Sequence, residues 1–407
     1  MPNFIQFTPE ILNSVSLSVL REIARQVGVK SPSSKSVPAL ISEIILIQSG
    51  KLEPVKSNRG AHSKPVDVSA YYEVFYEGTP EERVEYVPKP IPPIELRDSH
   101  IFDGKGYYQR AKDGVAYLRG VNYSFKKDDA IIPEKIIDDF DLRQGDFVEC
   151  KVIHYPDKKV VADLVTTNGK KAIDHIQFMD FADLSAYYPE EEIQLKGCAI
   201  GDDIMKKAPI NKGQRAVLAV PPSVDKSLLG LELANSIKNN NENLETILLF
   251  VGENPEEICE IKRATNAQVV ATKFDTDFEI QTATSELVIE RAKRIVEHAD
   301  DVVVIINSAT NLVKAYLGEN GDDGSLQSSL VPALMKVKKL TSSALNTSAG
   351  SCTILSIVDY TDNTLDKAIF EELNRFANMR AVLTSQNTID ENLSFTKRYI
   401  TADKGGK

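Results

Sequence analysis

The second half of the chain constrains the fold most, because fully apolar segments alternate there with amphipathic ones. Five short runs rich in valine, isoleucine, leucine and alanine follow Gly201, at 216–220, 246–251, 268–271, 302–306 and 352–358. Segments with helical periodicity separate them, at about 226–239, 255–265, 281–298 and 326–345. Strands that are apolar at every position are covered on both faces, so the pattern predicts a parallel sheet between two layers of helices. Such sheets bind ligands at the carboxyl ends of their strands.

A different pattern, typical of a small β-barrel, occupies residues 99–175. Short runs of alternating apolar and polar residues occur at 115–119, 130–132, 147–152 and 160–165. Turn signals separate several of these runs, at Asp113-Gly114, Gln144-Gly145 and Asn168-Gly169. Alternation places one face of each strand inside a barrel, so we predict an OB-like barrel of about five strands.

The first 50 residues are typical of a small helical domain. Ser16 is a suitable N-cap for a helix that Gly28 ends, and Ser36 with Pro38 begins a second helix. Residues 51–98 contain many prolines and almost no apolar periodicity. We interpret this segment as a partly disordered linker.

Composition excludes several classes of protein. No apolar stretch reaches the ~18 residues of a membrane span and the first residues lack signal-peptide features, so we expect a cytoplasmic protein without membrane contact. The four cysteines and five histidines are scattered, which indicates neither disulfides nor a zinc site. A net charge of −11 argues against a surface that binds nucleic acid over its whole extent, but it leaves room for a local basic patch.

The most informative motif joins the first apolar strand of the sheet to the helix that follows it. Strand 216–220 leads into a tight loop that ends at Asp225, and Lys226-Ser227 then open the helix. This is the layout of a phosphate-binding P-loop, in which backbone N–H groups and a helix N-terminus surround phosphate. A lysine followed by a serine is by itself a weak signal.

The sequence around this loop resembles the bacterial transcription termination factor Rho. The similarity rests on Pro209-Ile210-Asn211-Lys212-Gly213-Gln214-Arg215 before the strand and on Pro221-Pro222 in the loop. It continues in register through 248–258, 269–275, 288–298, 301–310 and 378–379, and in the barrel through 113–119 and 140–146. The resemblance implies a multidomain α/β protein: a Rho N-terminal-like helical domain at 1–50, an OB-fold (cold-shock-like) RNA-binding barrel at 99–175, and a RecA-like P-loop NTPase domain at 176–407.

The same resemblance implies ligands, partners and site residues. ATP and Mg²⁺ are the implied cofactors, and single-stranded RNA, RNA polymerase and a hexameric ring of Rho chains are the implied partners. Nucleotide binding is implied for Asp225, Lys226, Ser227 and Asn307, of which Ser227 and Asn307 also support the metal. The position of the catalytic carboxylate is held by Glu253. RNA binding is implied for Tyr117 and Arg119, and the flanking cations Arg110 and Lys112 favour it.

Several positions in the nucleotide site depart from the family pattern. Asp225 stands where the family has a glycine, and Asn307 replaces the aspartate that supports Mg²⁺. Two like charges about 4 Å apart repel by about 4 kcal/mol at an effective dielectric of about 20, so a carboxylate beside the phosphates opposes nucleotide binding. Gly252 and Asn254 flank Glu253 in place of an aspartate and an arginine.

The segments that face the channel of a Rho ring have also changed. Residues 319–324 are acidic, and Thr364 stands at a lysine position of the family. The chain ends near the place of Rho's trans-acting arginine finger, where the nearest basic residues are Lys397, Arg398 and Lys404. Such a finger is worth ~10³–10⁵ in rate, so we expect weak or absent ATP hydrolysis.

Ordinary structural roles explain the same residues. Lys226 and Ser227 can be first-turn helix residues kept by drift, Glu253 a solvated loop carboxylate and Tyr117 part of the barrel packing. Three functions therefore stay open: an RNA-binding protein that modulates a complete Rho in a mixed ring, an active RNA-dependent ATPase that terminates transcription, or a non-enzymatic interaction or decoy protein. A second Rho with an intact P-loop glycine in the same genome favours the first or the third.

Overall fold

The fold was obtained as a computed structural model. It describes residues 4–6, 12, 17–32, 35–48, 51–52, 54, 73–75, 101–123, 125–172, 178–319 and 326–397. The chain divides into two compact units, Met1–Ile94 and Glu95–Lys407. Within the described residues, no helix is both long enough and apolar enough to cross a membrane.

Among its described residues, the first unit has two helices of more than ten residues and a two-stranded ribbon. Its elements are β1 (Phe4–Gln6), α1 (Leu17–Val27), α2 (Val37–Gln48) and β2 (Glu73–Phe75), and β1 pairs antiparallel with β2. Gly28 ends α1 with a φ of 95°, a left-handed conformation that glycine adopts without strain. Both helices confirm the prediction, although Ser16 lies outside the described residues. Strand β2 is a correction, because we interpreted 51–98 as a linker; most of that segment also lies outside the described residues.

The barrel, residues 101–172, is a six-stranded sheet that closes on itself. Its elements are β3 (Ile101–Arg110), β4 (Ala116–Arg119), β5 (Ala130–Ile131), α3 (Glu134–Phe140), β6 (Phe147–His154), β7 (Lys159–Thr167) and β8 (Lys170–Lys171). The strand order is β5-β4-β3-β6-β7-β8, and a parallel pairing of β5 with β7 closes the barrel. The predicted OB-like barrel is confirmed.

Strand β3 is a long barrel strand that the sequence pattern did not predict. Two glycines, Gly104 and Gly106, interrupt the alternation that marks the other strands. Gly106 lies where β4 comes close, because a Cβ atom there would be 2.0 Å from the carbonyl oxygen of Arg119. Gly106 therefore both interrupts the alternating pattern of β3 and allows β3 to pair closely with β4.

The sheet domain, residues 178–397, is built on a nine-stranded sheet. Its strands are β9 (Ala186–Tyr187), β10 (Arg215–Val220), β11 (Leu244–Glu253), β12 (Gln268–Lys273), β13 (Asp301–Asn307), β14 (Leu345–Thr347), β15 (Ser351–Asp359), β16 (Met379–Val382) and β17 (Phe395–Thr396). Its helices are α4 (Ala199–Lys207), α5 (Lys226–Asn240), α6 (Pro255–Ala264), α7 (Phe278–Glu297), α8 (Ala309–Glu319), α9 (Leu326–Thr341) and α10 (Thr364–Phe376). The main strand order is β12-β11-β13-β15-β10-β16-β17.

The centre of this sheet is parallel and buried on both faces, as the sequence predicts. Strands β10, β11, β12, β13, β15 and β16 pair in parallel. In β10, Val217 and Ala219 pack into one buried cluster and Leu218 and Val220 into the other. Because the strands are parallel, their carboxyl ends meet at one edge, which the P-loop also borders.

The barrel packs directly on the sheet domain. The Tyr107 hydroxyl accepts a hydrogen bond of 2.8 Å from Nε2 of Gln268 on β12. Arg143 lies 3.2 Å from the buried carboxylate of Glu297 on α7. At Gly145 a Cβ atom would lie 2.4 Å from the backbone of α7, so the two surfaces touch there without an intervening side chain.

Candidate nucleotide and nucleic-acid sites

The P-loop, residues 221–227, connects β10 to α5 and ends in a helix cap formed by Asp225. Oδ1 of Asp225 accepts hydrogen bonds from the backbone N–H groups of Ser227 at 2.9 Å and Leu228 at 3.0 Å. The first N–H groups of a helix have no partner within the helix, and its dipole stabilises negative charge there. The Asp225 carboxylate thus takes donors that a P-loop offers to phosphate.

The two side chains that follow Asp225 are also bound to carboxylates. Nζ of Lys226 lies 2.5 Å from Oδ1 of Asp359, the last residue of β15, and only 26% and 20% of these two side chains are exposed. Oγ of Ser227 donates to Oε2 of Glu257 at 3.2 Å, in the first turn of α6. In a working P-loop the lysine reaches the phosphates and the serine hydroxyl binds Mg²⁺. In this chain the Lys226 ammonium instead contacts Asp359, and the Ser227 hydroxyl contacts Glu257.

Asn307 and Glu253 end two neighbouring strands of the same edge. Asn307 is fully buried, and neither atom of its side-chain amide has a hydrogen-bond partner among the described residues. Burial raises the pKa of Glu253 to about 7; the Lys226 ammonium opposes this rise, and the carboxylates of Glu257, Asp359 and Asp225 add to it. The edge therefore holds more negative than positive charge.

A nucleotide with Mg²⁺ does not fit these residues as they stand. Four donors of the P-loop are engaged by three carboxylates of the chain, and the neutral Asn307 lacks the charge with which an aspartate supports the metal. Within the described part of the chain, no group of histidine, cysteine, aspartate or glutamate side chains has the arrangement of a metal site. The candidate residues Asp225, Lys226 and Ser227 are thus brought together, but in contact with protein partners.

On the barrel, Arg119 is the centre of a packed cluster. Its guanidinium stacks on the rings of Tyr117 and Phe125, with 4.3 Å from Cζ to each ring centroid. Its Nε donates to Gln109 at 2.7 Å and its Nη1 to Asp129 at 2.9 Å. Arg119 is only 6% exposed, so it orients the two rings and is not placed to reach an RNA phosphate.

The other two cations predicted to bind RNA have protein partners as well. Arg110 donates to both carboxylate oxygens of Glu134, at 2.6 and 2.7 Å. Lys112 pairs with Glu319 and lies 3.4 Å from Glu279, and both partners belong to the sheet domain. The structure therefore groups Tyr117 with Arg119 and assigns Lys112 to the contact between barrel and sheet domain.

The partners that define both sites were not predicted from the sequence. Asp359 and Glu257 hold the P-loop side chains, and Gln109 and Asp129 hold Arg119. A carboxylate at the end of a fully apolar strand, as with Asp359, is a signal that can be read from the sequence. The pairings themselves depend on the packing of distant segments, and no spacing along the chain indicates them.

Comparisons with known proteins place this chain in a family. The family described as "Rho termination factor, RNA-binding domain" matches residues 104–169 of the barrel. The chain is 32% identical to transcription termination factor Rho 1 of Ehrlichia chaffeensis over 299 residues, which cover 69% of this chain and 71% of that protein. The chain belongs to the Rho family of transcription termination factors.

Other relatives show the same level of similarity. Rho of Bacillus subtilis is 34% identical over 278 residues, which cover 66% of this chain and 65% of that protein. Rho of Micrococcus luteus is 31% identical over 315 residues, which cover 70% of this chain and 45% of that protein. Among solved structures, an ATPase from the type III secretion system of pathogenic bacteria matches with a TM-score of 0.45 and 19% identity, over 52% of this chain and 63% of that one.

The positions that correspond to the channel loops of Rho are described in part. In the second loop, Asn363 caps α10 by accepting a hydrogen bond of 2.9 Å from the Leu365 N–H, and Thr364 begins the helix. Of the first loop, Glu319 is described, and 320–324 lie outside the described residues. Lys397 is exposed, whereas Arg398 and Lys404 lie outside the described residues as well.

Proposed function

We propose that this member of the Rho family binds single-stranded RNA through its barrel and acts in transcription termination without appreciable hydrolysis of ATP. The observation that carries the proposal is the carboxylate of Asp225, which accepts hydrogen bonds from the N–H groups of the P-loop helix at 2.9 and 3.0 Å. We propose that the protein acts by binding RNA and other proteins, and that its own hydrolysis of ATP is not needed.

The fixed aromatic rings of the barrel support RNA binding. Tyr117 and Phe125 are both half-buried and both stack on the Arg119 guanidinium. Rings held in this way are platforms for unpaired bases, and each stacked base contributes ~1–3 kcal/mol. Because Arg110, Lys112 and Arg119 are engaged with carboxylates of the chain, we propose that stacking supplies most of the affinity.

The P-loop edge supports the lack of turnover. Phosphate binding, metal binding and activation of water act as a unit in hydrolysis, so the loss of one removes most of the rate that the three give together. Here Asp225 and Asp359 engage the phosphate-binding groups, and Asn307 contributes no charge toward Mg²⁺.

We further propose that the partners are other Rho chains and RNA polymerase, in the cytoplasm. Membership of the Rho family supports a homohexamer or a mixed ring with a complete Rho. In a mixed ring this chain contributes its barrel to the RNA-binding surface, and its neighbours supply the hydrolysis. Replacement of an active chain by this one lowers the turnover of the whole ring.

One observation favours a second candidate function, an active RNA-dependent ATPase. The pKa of Glu253 is raised to about 7 by burial, and a general base is most effective when its pKa lies near the working pH. This carboxyl also ends β11 at the edge that the P-loop borders. ATP hydrolysis by the purified chain distinguishes the two candidates.

We expect the full chain to hydrolyse ATP at the rate of a buffer blank, with or without poly-cytidylate RNA. Phosphate release is measured beside the Lys226→Ala variant, which removes the ammonium of the P-loop. Equal rates for the two proteins support the proposal. RNA-stimulated turnover in the usual enzyme range of ~1–10³ s⁻¹ that disappears in Lys226→Ala establishes the active ATPase instead.

RNA binding is tested on the full chain by fluorescence titration with labelled oligo-cytidylate at low salt. Tyr117→Ala removes one ring of the platform, so we expect its affinity to fall by about tenfold, as the loss of one stacked base predicts. Tyr187→Ala is the matched control, because Tyr187 is 58% exposed on the sheet domain. Equal affinities for these two variants contradict the assignment of the barrel face.

A further inference from the structure

We propose that Asp225 is a built-in substitute for a nucleotide phosphate, so that the P-loop is held together by the protein's own carboxylates and does not respond to nucleotide. The inference rests on the proposed lack of turnover, because it concerns the same site. Its readout, however, is the stability of the fold and not the rate of hydrolysis.

The Asp225 carboxylate lies where a phosphate binds in a working P-loop. Phosphates at a helix N-terminus are bound by the backbone N–H groups of the first turn, and Oδ1 of Asp225 accepts two of these, from Ser227 and Leu228. Hydrogen bonds to an ionised oxygen are stronger than neutral ones. The carboxylate is also part of the chain, so a free anion competes with a ligand present at high effective concentration.

Two side-chain contacts connect the first turn of α5 to other elements of the sheet domain. Lys226 joins α5 to the end of β15 through Asp359, and Ser227 joins α5 to α6 through Glu257. In a working P-loop these side chains engage the phosphates and the metal, so the nucleotide connects the surrounding elements. Here the protein makes the connections directly. The carboxylates of Asp359 and Glu257 thus make contacts that phosphate and metal make in a working P-loop.

The consequence is a subunit whose P-loop conformation is the same at every nucleotide concentration. A ligand changes an equilibrium only by as much as its affinity differs between two states. Because the N–H donors of the helix and the Lys226 ammonium are already engaged, phosphate gains little binding free energy in any conformational state. We infer that the chain keeps one conformation at this edge while nucleotide-dependent subunits cycle.

Chemical rescue of a cap variant tests the proposal. Thermal unfolding of the full chain is measured with and without millimolar sodium pyrophosphate for three proteins: the unmodified chain, Asp225→Ala and Asn363→Ala. Asn363 is the matched control, because its side chain caps α10 in the same way at 2.9 Å from the Leu365 N–H. Should Asp225→Ala not fold, Asp225→Gly takes its place, since glycine is well tolerated at helix N-caps.

We expect both alanine variants to lower the unfolding midpoint by about 2–4 °C, as the loss of one cap predicts for a domain of this size. Pyrophosphate is expected to restore the Asp225→Ala midpoint by binding the native state, and to leave the other two proteins within about 1 °C of their ligand-free values. A similar gain in the unmodified chain overturns the proposal, because the site is then open. Loss of stability without rescue overturns it too, because Asp225 is then an ordinary cap.

The two proposals about this site fail on different results. Hydrolysis of ATP by the unmodified chain contradicts the proposed lack of turnover. A chain that binds pyrophosphate but does not hydrolyse ATP leaves that proposal standing and removes the role of Asp225 as a phosphate substitute.

Discussion

At the scale of single residues, the placement of negative charge decides what the P-loop edge can bind. Sequence analysis anticipated that Asp225 opposes phosphate by repulsion. The structure adds a geometric reason, because its carboxylate accepts hydrogen bonds from the helix that phosphate would contact. That reason was not available from the sequence, since a residue at this position caps the helix only when the loop turns its side chain toward the first N–H groups.

Glu253 gives a prediction about pH at this scale. Its pKa rises from 4.5 to about 7 on folding, so the folded chain holds the proton more tightly than the unfolded chain between these values. This group's contribution to stability is therefore complete below pH ~4.5 and is lost as the pH rises through about 7. Glu253→Gln removes the titration. We expect the variant to gain stability relative to the unmodified chain when the pH is raised from 5 to 8.

Urea unfolding at the two pH values measures this difference. Glu256→Gln is the control, since Glu256 is an exposed carboxylate of the neighbouring helix turn. A pH dependence of Glu253→Gln that equals that of the unmodified chain and of the control shows that Glu253 does not hold its proton in the folded state.

At the scale of elements, periodicity predicted the uniformly apolar strands and four amphipathic helices, and it missed helices α4, α8 and α10. The five central strands and helices α5, α6, α7 and α9 were predicted with ends that differ by a few residues. Helix α8 was missed because it follows β13 almost directly and is buried around much of its surface, so no polar stripe marks it. Strand β3 was missed because of its glycines. The carboxylate partners of the candidate site residues, Asp359 and Glu257, were not predicted.

Gly106 gives a prediction at the scale of strand pairing. A Cβ atom there would lie 2.0 Å from the Arg119 carbonyl oxygen, which is backbone and cannot rotate away. We expect Gly106→Ala to separate β3 from β4 and to destabilise the barrel by about 1–3 kcal/mol. RNA affinity is expected to fall with it, because Tyr117 and Arg119 lie on β4.

Denaturant unfolding and RNA titration of the same variant check both effects. Val121→Ala, in the exposed turn after β4, is the comparison and is expected to change neither quantity. If Gly106→Ala is as stable as that comparison, the close approach of the two strands does not constrain the barrel.

At the scale of the whole molecule, the acidic chain sets how RNA binding depends on salt. The net charge is −11, and the three cations predicted to bind RNA are paired with carboxylates. Each phosphate that a protein neutralises on a single strand adds about −0.7 to the slope of log affinity against log salt. We expect a slope no steeper than about −1.4, which corresponds to about two phosphates.

Titrations at several salt concentrations measure this slope for the unmodified chain and for Tyr117→Ala. The loss of a stacking ring is expected to lower affinity by the same factor at each concentration and to leave the slope unchanged. A slope of about −3 or steeper indicates that lysine and arginine side chains leave their carboxylate partners and contact the RNA backbone.

The Asp225 cap also bears on how such a chain evolves. A substitution that frees the helix N-terminus for phosphate removes a cap before it restores any catalysis, because Asn307 still lacks the charge that the metal requires. On the proposed lack of turnover, neither a change at Asp225 nor one at Asn307 alone restores hydrolysis, and the first of them also costs the stability of a helix cap. Reversion to an active enzyme therefore needs at least two substitutions in the same chain.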